Sequence, residues 1–182
     1  MADKGAVRTL ARAARARFVA AHGSGVPVPA PFRALLRPGL VVASYMPVGS
    51  EADPAALARA ALDAGCVIAL PHVVDRAMPM RFLEWDGAAD LAIGPFGLSQ
   101  PPPTAACREP DVILTPLVAF SRDLARLGQG GGFYDRVFAR FPAALRIGIA
   151  LSVQEMALLP TDKWDIPLHA IATEREWITY DA

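Results

Sequence analysis

Cysteine, histidine and long apolar runs are all scarce in this 182-residue chain, and each shortage closes off a class of protein. The two cysteines, Cys66 and Cys107, form no C-x-x-C pair, which argues against a disulfide framework and for reduced thiols in a cytosol. His22, His72 and His169 are scattered without metal-ligand spacing, so a zinc site is not expected. No run approaches the ~18 apolar residues that a membrane span needs, and no signal-peptide core is present. A soluble, cytoplasmic protein is expected. Acids are missing from the start of the chain. Between Asp3 and Glu51 there is none, while Lys4, Arg8, Arg12, Arg15, Arg17, Arg33 and Arg37 stand there. Residues 1–50 carry a net +6, and the remainder a net −6. A basic segment facing an acidic body docks an anionic ligand between them, binds nucleic acid, or merely keeps a helix solvated. The Arg-rich start is also similar to a transit peptide, but it has almost no serine before Ser24 and carries an apolar stripe of its own.

What the chain has is a core and one unusual loop. With 53% hydrophobic residues, 182 residues bury a real core as one domain, expected to span 1–182. In the run Arg126-Leu127-Gly128-Gln129-Gly130-Gly131-Gly132-Phe133-Tyr134-Asp135-Arg136, four of eleven residues are glycine. Glycine loses more conformational entropy on folding than any other residue, so this cluster implies a backbone that bends sharply or is closely approached. Upstream, 111–115 reads as a buried strand. Downstream, Tyr134, Val137, Phe138 and Phe141 recur on one face of a helix that Pro142 stops. A helix start preceded by free backbone N–H groups, with Arg126 and Arg136 nearby, suits a phosphate. The loop is neither a Walker A motif nor a dinucleotide fingerprint. Two readings stand: a phosphate cradle, or a flexible surface turn.

Asp3 is placed to cap a helix over about 4–21, with Val7, Leu10, Ala14 and Phe18 as its apolar stripe and Lys4, Arg8, Arg12 and Arg15 on another face. Residues 40–45 read as a buried strand, a helix starts at Pro54 and ends at Gly65, and 67–71 is the next strand. Together these make a βαβ unit. Ligands in such sheets sit beyond the carboxyl ends of the strands, where Met46 to Glu51 and Pro71-His72 fall. Residues 80–85 alternate like an edge strand with one exposed face, and the Gly/Pro-rich 93–110 segment is a candidate cover over the site. A strand over 146–151, a short helix through Met156, a polar loop over 161–165 and strands near 171–173 and 177–180 complete the chain. The fold class read from this order is α/β: a single domain with a mostly parallel central sheet and helices on both faces, a Rossmann-like three-layer arrangement.

The glycine run, together with Lys4 and Arg8, Glu51-Ala52-Asp53 after a strand, Phe96-Gly97 before a Pro-rich turn, Pro116 to Phe120, and Asp165 with Thr173-Glu174, resembles the 5-formyltetrahydrofolate cyclo-ligase family. Its signature is similar to RLG-x-G-x-G-[YF]-YD, and the likeness runs from about Lys4 to Trp177. The resemblance implies an ATP- and Mg²⁺-dependent enzyme of one-carbon metabolism that converts 5-formyltetrahydrofolate to 5,10-methenyltetrahydrofolate, ADP and phosphate. It implies that Lys4, Arg8, Arg126, Leu127, Gly128, Gln129, Gly130, Gly131, Gly132, Phe133 and Tyr134 hold ATP, with Lys4, Arg126 and Tyr134 catalytic. By the same resemblance Met46, Glu51 and Tyr134 contact the folate, and Asp135 and Asp165 take Mg²⁺. Trp85, Phe96 and Trp164 are either pocket walls or simply core and rim. The expected partners are the reduced folate and ATP, with no nucleic acid and no membrane, and the chain is expected to act as a monomer. Several positions depart from the family pattern. Ser121 stands for an acid, Ala125 for a Gly, Gln100 for a Glu, Trp164 for a His, and Leu168-His169 for Val-Asp. These motivate an alternative, a divergent paralogue that keeps the ATP loop and activates another formyl or carbonyl compound. A nucleic-acid or membrane-surface module built on the basic helix is the third reading, weakened by the lack of aromatics beside the bases.

Overall fold

A computed structural model describes residues 3–180. In chain order the elements are α1 (Lys4–His22), α2 (Ala30–Leu35), β1 (Val41–Ala43), α3 (Ala55–Asp63), β2 (Val67–His72), β3 (Arg81–Glu84), β4 (Ala92–Ile93), β5 (Ser99–Gln100), β6 (Cys107–Arg108) and β7 (Val112–Pro116). They continue with β8 (Ala119–Phe120), β9 (Arg126–Leu127), α4 (Phe133–Arg140), β10 (Leu145–Ile149), β11 (Ala170–Ala172) and β12 (Trp177–Thr179). Eight strands form one sheet in the order β12-β11-β10-β7-β1-β2-β3-β6. The five from β11 to β2 run parallel, and β12, β3 and β6 join antiparallel at the two sides.

The central strands are short apolar runs because both of their faces are covered. Along β7, Val112 and Leu114 pack with Phe32 of α2 and Leu57, Ala58 and Ala61 of α3. Ile113, pointing the other way, packs with Val137 and Phe138 of α4. Helices therefore cover both faces, and the three-layer α/β expectation holds. From β1 the chain crosses through α3 to β2 on one side, and later returns to β7 on the other. That reversal opens a crevice at the carboxyl ends of β1 and β7, where open α/β sheets take their ligands.

Several local expectations change. Asp3 caps α1 as read, its carboxylate accepting from the Ala6 N–H at 3.2 Å. The buried stripe of α1, however, is Val7, Ala11 and Arg15, while Leu10 is 68% exposed. The stripe follows i, i+4, i+8 because α1 leans on the β8–β9 hairpin, with Val7 and Ala11 packed among Val118, Ala119 and Leu127. β3 is not an edge strand. It pairs with β6 as well as β2, and its central Phe82 and Leu83 are both buried, so the alternation read from its sequence does not hold. The short helix expected to run through Met156 is a single 3₁₀ turn over Ser152–Gln154. The glycine loop does not follow β7 through a plain connector. β8 and β9 form a tight hairpin first, and Arg126 and Leu127 are its second strand.

Candidate functional site

The crevice at the carboxyl ends of β1 and β7 is a cavity of about 430 Å³. Tyr45 and Met46 after β1, Pro71 and Val73 at the end of β2, and Pro116 at the end of β7 line it. Every residue that the family resemblance assigned to a ligand lies on its wall: Lys4, Arg8, Met46, Glu51, Arg126 through Asp135, and Asp165.

The glycine loop bends as its composition requires. Gly130 takes φ 100° and Gly132 φ 63°, the left-handed region that side chains other than glycine rarely enter. Gly132 is the residue from which α4 starts, so the loop delivers the helix N-terminus and its free N–H groups to the cavity. The helix α1 crosses the loop. Arg8 Nε donates to the Gly128 carbonyl at 2.8 Å, and its guanidinium lies against Gly130, where an added Cβ would meet Arg8 Cζ at 3.5 Å. Arg12 donates to Gln129 Oε1 at 3.1 and 2.5 Å. The loop is therefore tied to α1 and is not a free surface turn.

Four cations among the described residues line the cavity, Lys4, Arg8, Arg76 and Arg126, with counter-charges already beside two of them. Lys4 Nζ bonds Asp162 Oδ2 at 2.7 Å and Asp165 Oδ2 at 2.8 Å. Burial pulls the Lys4 ammonium down, but these bonds outweigh it and its pKa is raised. Burial likewise pushes Asp165 up, and the bond from Lys4 and the Asp162 N–H at 2.7 Å reverse it, so its pKa is lowered. Arg126 is almost fully buried, with its side chain 6% exposed, and donates to Asp135 Oδ1 at 2.5 Å. It also lies over the Phe138 ring at 4.8 Å. Burial lowers its pKa against the pull of Asp135, and its Nε is buried without a partner.

On the β1 side, Glu51 is buried and accepts at both oxygens, from Gln129 Nε2 at 3.0 Å and from the Val48 N–H at 3.0 Å. Each oxygen keeps a further lone pair for a ligand. Burial, then the Glu51 charge, pushes the half-buried Tyr134 far above the usual phenol value, so its hydroxyl stays protonated. Tyr45 is raised by the same two causes in the same order, and its hydroxyl donates to the Ala52 carbonyl at 2.6 Å. Arg15 was missed as a site residue. Its spacing with Lys4, Arg8 and Arg12 reads as a basic face, yet it is buried and donates to Ser50 Oγ at 3.2 Å and to the Leu117 carbonyl at 3.1 Å, fixing the turn before Glu51. The available signal was its place four residues after Ala11 on the buried stripe.

The aromatic candidates separate. Phe96 lines the cavity, on the β4–β5 hairpin that the sequence read as a cover. Trp85 packs against the core, and Trp164 is 70% exposed and off the cavity wall. The departures from the family pattern also lie off that wall. Gln100 is buried and grips the Val73 backbone, accepting from its N–H at 3.1 Å and donating to its carbonyl at 3.3 Å, a pairing an ionised Glu would not make. Ser121 bonds Asp123 in the β8–β9 turn, where Leu124 takes the left-handed position at φ 66°. Leu168 fills the core, and His169 accepts from the Arg146 N–H at 2.9 Å. Among the described residues no group of three or more His, Cys, Asp or Glu side chains is arranged to hold a metal, and no helix is long and apolar enough to cross a membrane.

Residues 34–174 match the model of the 5-formyltetrahydrofolate cyclo-ligase family. Lys4 and Arg8 precede that stretch, so their place at the site rests on the geometry above. The chain is 32% identical over 148 residues to the 5-formyltetrahydrofolate cyclo-ligase of Mycolicibacterium smegmatis, covering 77% of this chain and 76% of that one. It is 32% identical over 139 residues to the Escherichia coli enzyme of the same name, covering 72% and 76%. Among solved structures, the Aquifex aeolicus 5,10-methenyltetrahydrofolate synthetase superposes with a TM-score of 0.66 at 27% identity, over 98% of this chain and 84% of that one. The Mycoplasma pneumoniae 5,10-methenyltetrahydrofolate synthetase shares the fold, with a TM-score of 0.67 at 22% identity, over 96% and 100%. On this agreement of sequence and fold, the chain belongs to the 5-formyltetrahydrofolate cyclo-ligase family.

Proposed function

We propose that this chain uses ATP to convert 5-formyltetrahydrofolate to 5,10-methenyltetrahydrofolate, acting in the cytoplasm as one domain and as a monomer. The observation that carries the reading is the meeting, in one cavity at the sheet's switch point, of a glycine loop with Lys4, Arg8 and Arg126 and a buried carboxylate with free lone pairs. In this reading the formyl oxygen attacks the γ-phosphorus and ADP leaves. N10 then closes on the activated carbon and loses its proton, and the former formyl oxygen departs with phosphate. A formyl oxygen on an amide-like nitrogen is a weak nucleophile, so positioning and charge neutralisation carry the catalysis.

Lys4, Arg8 and Arg126, with the N–H groups of 128–134, hold the triphosphate. Glu51 accepts from the ring N–H and amino group of the pterin, and Met46 packs against it. The protonated Tyr134 hydroxyl donates to the oxygen that passes from carbon to phosphorus. Asp135 and Asp165, which share the cavity wall and each already face a cation, are the residues that would hold Mg²⁺. Two carboxylates suit Mg²⁺, which takes most of its oxygens from phosphates and water. When bound, Mg²⁺ would neutralise charge on the β- and γ-phosphates.

Gln100, Ser121 and Trp164 do not line the cavity, which weakens the case for a divergent paralogue. Four of the five bases of α1 bond the chain's own groups, which argues against a nucleic-acid or membrane surface there. The test is absorbance at the methenyltetrahydrofolate band on mixing protein, MgATP and 5-formyltetrahydrofolate, against an ATP-free control. An ATP-dependent rise is expected. Folded protein that gives none refutes the reaction.

A further inference from the structure

Four side chains stand in one row at the edge of the cavity; only Phe133 belongs to the loop assigned to the triphosphate, and there its backbone N–H is used, not its ring. The Arg76 guanidinium lies 5.3 Å over the Phe96 ring, and Phe96 and Phe133 meet with centroids 5.9 Å apart, tilted by 58°. Arg136 in turn lies 4.9 Å over Phe133. Arg76, Phe96 and Phe133 line the cavity itself.

Phe96 is held there against its own preferences. Phe96 is 50% exposed, and its backbone sits at φ 62°, a region that residues other than glycine and asparagine seldom enter. The two hydrogen bonds between the Gln100 amide and the Val73 backbone pin the stem of its hairpin to the end of β2. The Gln100 amide also fills the space over Gly94, where a Cβ would come within 2.4 Å of it. The hairpin is thus braced to present an aromatic face beside the cavity.

Like Arg8, and unlike the other two cations of the site, Arg76 and Arg136 are not paired with a carboxylate among the described residues. Lys4 and Arg126 have carboxylate partners, whereas among the described residues no carboxylate lies within ion-pair distance of Arg76 or Arg136. The single side-chain bond of Arg136 is to the Gly131 carbonyl, at 3.3 Å. Two unneutralised guanidiniums flanking two aromatic rings complement a ligand segment that is itself aromatic and ends in carboxylates.

If the proposed function holds, and this inference rests on it, the substrate has such a segment: an aryl amide ending in a dicarboxylate, beyond the pterin held near Glu51. We propose that Arg76, Phe96, Phe133 and Arg136 form the subsite for that tail, with the aryl ring against Phe96 and the carboxylates between the two arginines. Both guanidiniums are exposed, so each contributes as a solvent-screened pair.

The test compares the parent with Arg76→Gln, Arg136→Gln and the double variant, on 5-formyltetrahydrofolate and on 5-formyltetrahydropteroate, which lacks the amino-acid tail. KM for the full substrate is expected to rise about 5-fold in each single variant and about 25-fold in the double, which is about 1 kcal/mol per arginine. KM for ATP should not move. The tail-less substrate should show the same KM in all four proteins, and Arg76→Lys should recover most of the loss. Raised ionic strength should weaken the full substrate in the parent and barely affect the double variant. Equal losses on both substrates, a rise in KM for ATP, or no shift at all would overturn the subsite. A folded parent that turns over neither compound would refute the reaction itself, and an active parent with indistinguishable variants refutes only the subsite.

Discussion

Replacing Glu51 by Gln gives the sharpest test of the half of the site proposed to hold the folate, because the structure fixes which groups each oxygen of the side chain bonds. The carboxylate accepts twice, from Gln129 Nε2 and from the Val48 N–H, each at 3.0 Å, and it is buried. A glutamine has one acceptor oxygen and one donor nitrogen in those places, so either the Gln129 amide or the Val48 N–H is left facing another donor. The nearby Arg15 also loses an opposing charge, since Glu51 supports its protonated form against burial. Losing a charge-assisted hydrogen bond costs about 1.5–3 kcal/mol. If the remaining lone pairs bind the pterin, that converts to about a 10- to 150-fold loss in kcat/KM for 5-formyltetrahydrofolate. The assay is initial rate at the methenyl absorbance, varying folate at saturating MgATP and then the reverse. A second variant, Gln129→Ala, separates the two duties of the carboxylate. If Glu51 only held Gln129, then Glu51→Gln would cost nothing in the Gln129→Ala background; if it binds the pterin, the loss persists there. A Glu51→Gln protein with unchanged folate kinetics, or with its loss confined to KM for ATP, would refute the assignment.

Arg8→Ala removes the bond to the Gly128 carbonyl and the guanidinium against Gly130, and ATP-dependent turnover should fall about 10- to 150-fold; unchanged kinetics would take Arg8 out of the site. Asp135→Asn keeps an acceptor for the buried Arg126 but removes its counter-charge. The Mg²⁺ midpoint should rise, and stability should drop by about 1–2 kcal/mol, read as a fall in Tm of about 2–8 °C. A Mg²⁺ titration that overlays the parent's would show that Asp135 is no ligand. The Lys4–Asp165 pair predicts a plateau of stability with losses at both ends. Asp165 is lowered from its ordinary 3.8, so its contribution is present above that value and disappears as pH falls through the lowered one. Lys4 is raised from 10.5, so its contribution is present below that value and disappears as pH rises through the raised one. Denaturant unfolding of Lys4→Met against pH should lose both slopes relative to the parent; a variant whose pH dependence matches the parent's would show that the pair does not couple to folding.

The sheet was legible because its strands are buried on both faces, and such strands stand out as short apolar runs such as Val67 to Leu70 without any alternation to misread. Where a strand is only partly covered, pattern failed: β3 alternates in sequence, but β6 closes its open side, and no local feature of Cys107-Arg108 announces a two-residue strand. The glycine loop was legible for a different reason. Positive φ at Gly130 and Gly132 leaves a mark in composition that no packing interaction conceals.

The α1 helix shows where legibility ended. A helix stripe is read on the assumption that apolar residues face inward, which selects Leu10 and rejects Arg15. The structure inverts both, since the surface that α1 meets is not a sheet face but a hairpin and a turn that present backbone and hydroxyl oxygens. Those oxygens, the Leu117 carbonyl and Ser50 Oγ, require a donor with reach, and Arg15 supplies one while its stem packs beside Val7 and Ala11. The same demand accounts for the basic face of α1. Its charges are spent on holding the glycine loop through Arg8 and Arg12, the Glu51 turn through Arg15, and the Asp162–Asp165 loop through Lys4. One helix thereby fixes the three loops that bear the triphosphate, folate and metal assignments. It follows that α1, although it lies before the stretch matched by the family, is the element whose displacement should disturb all three sites at once.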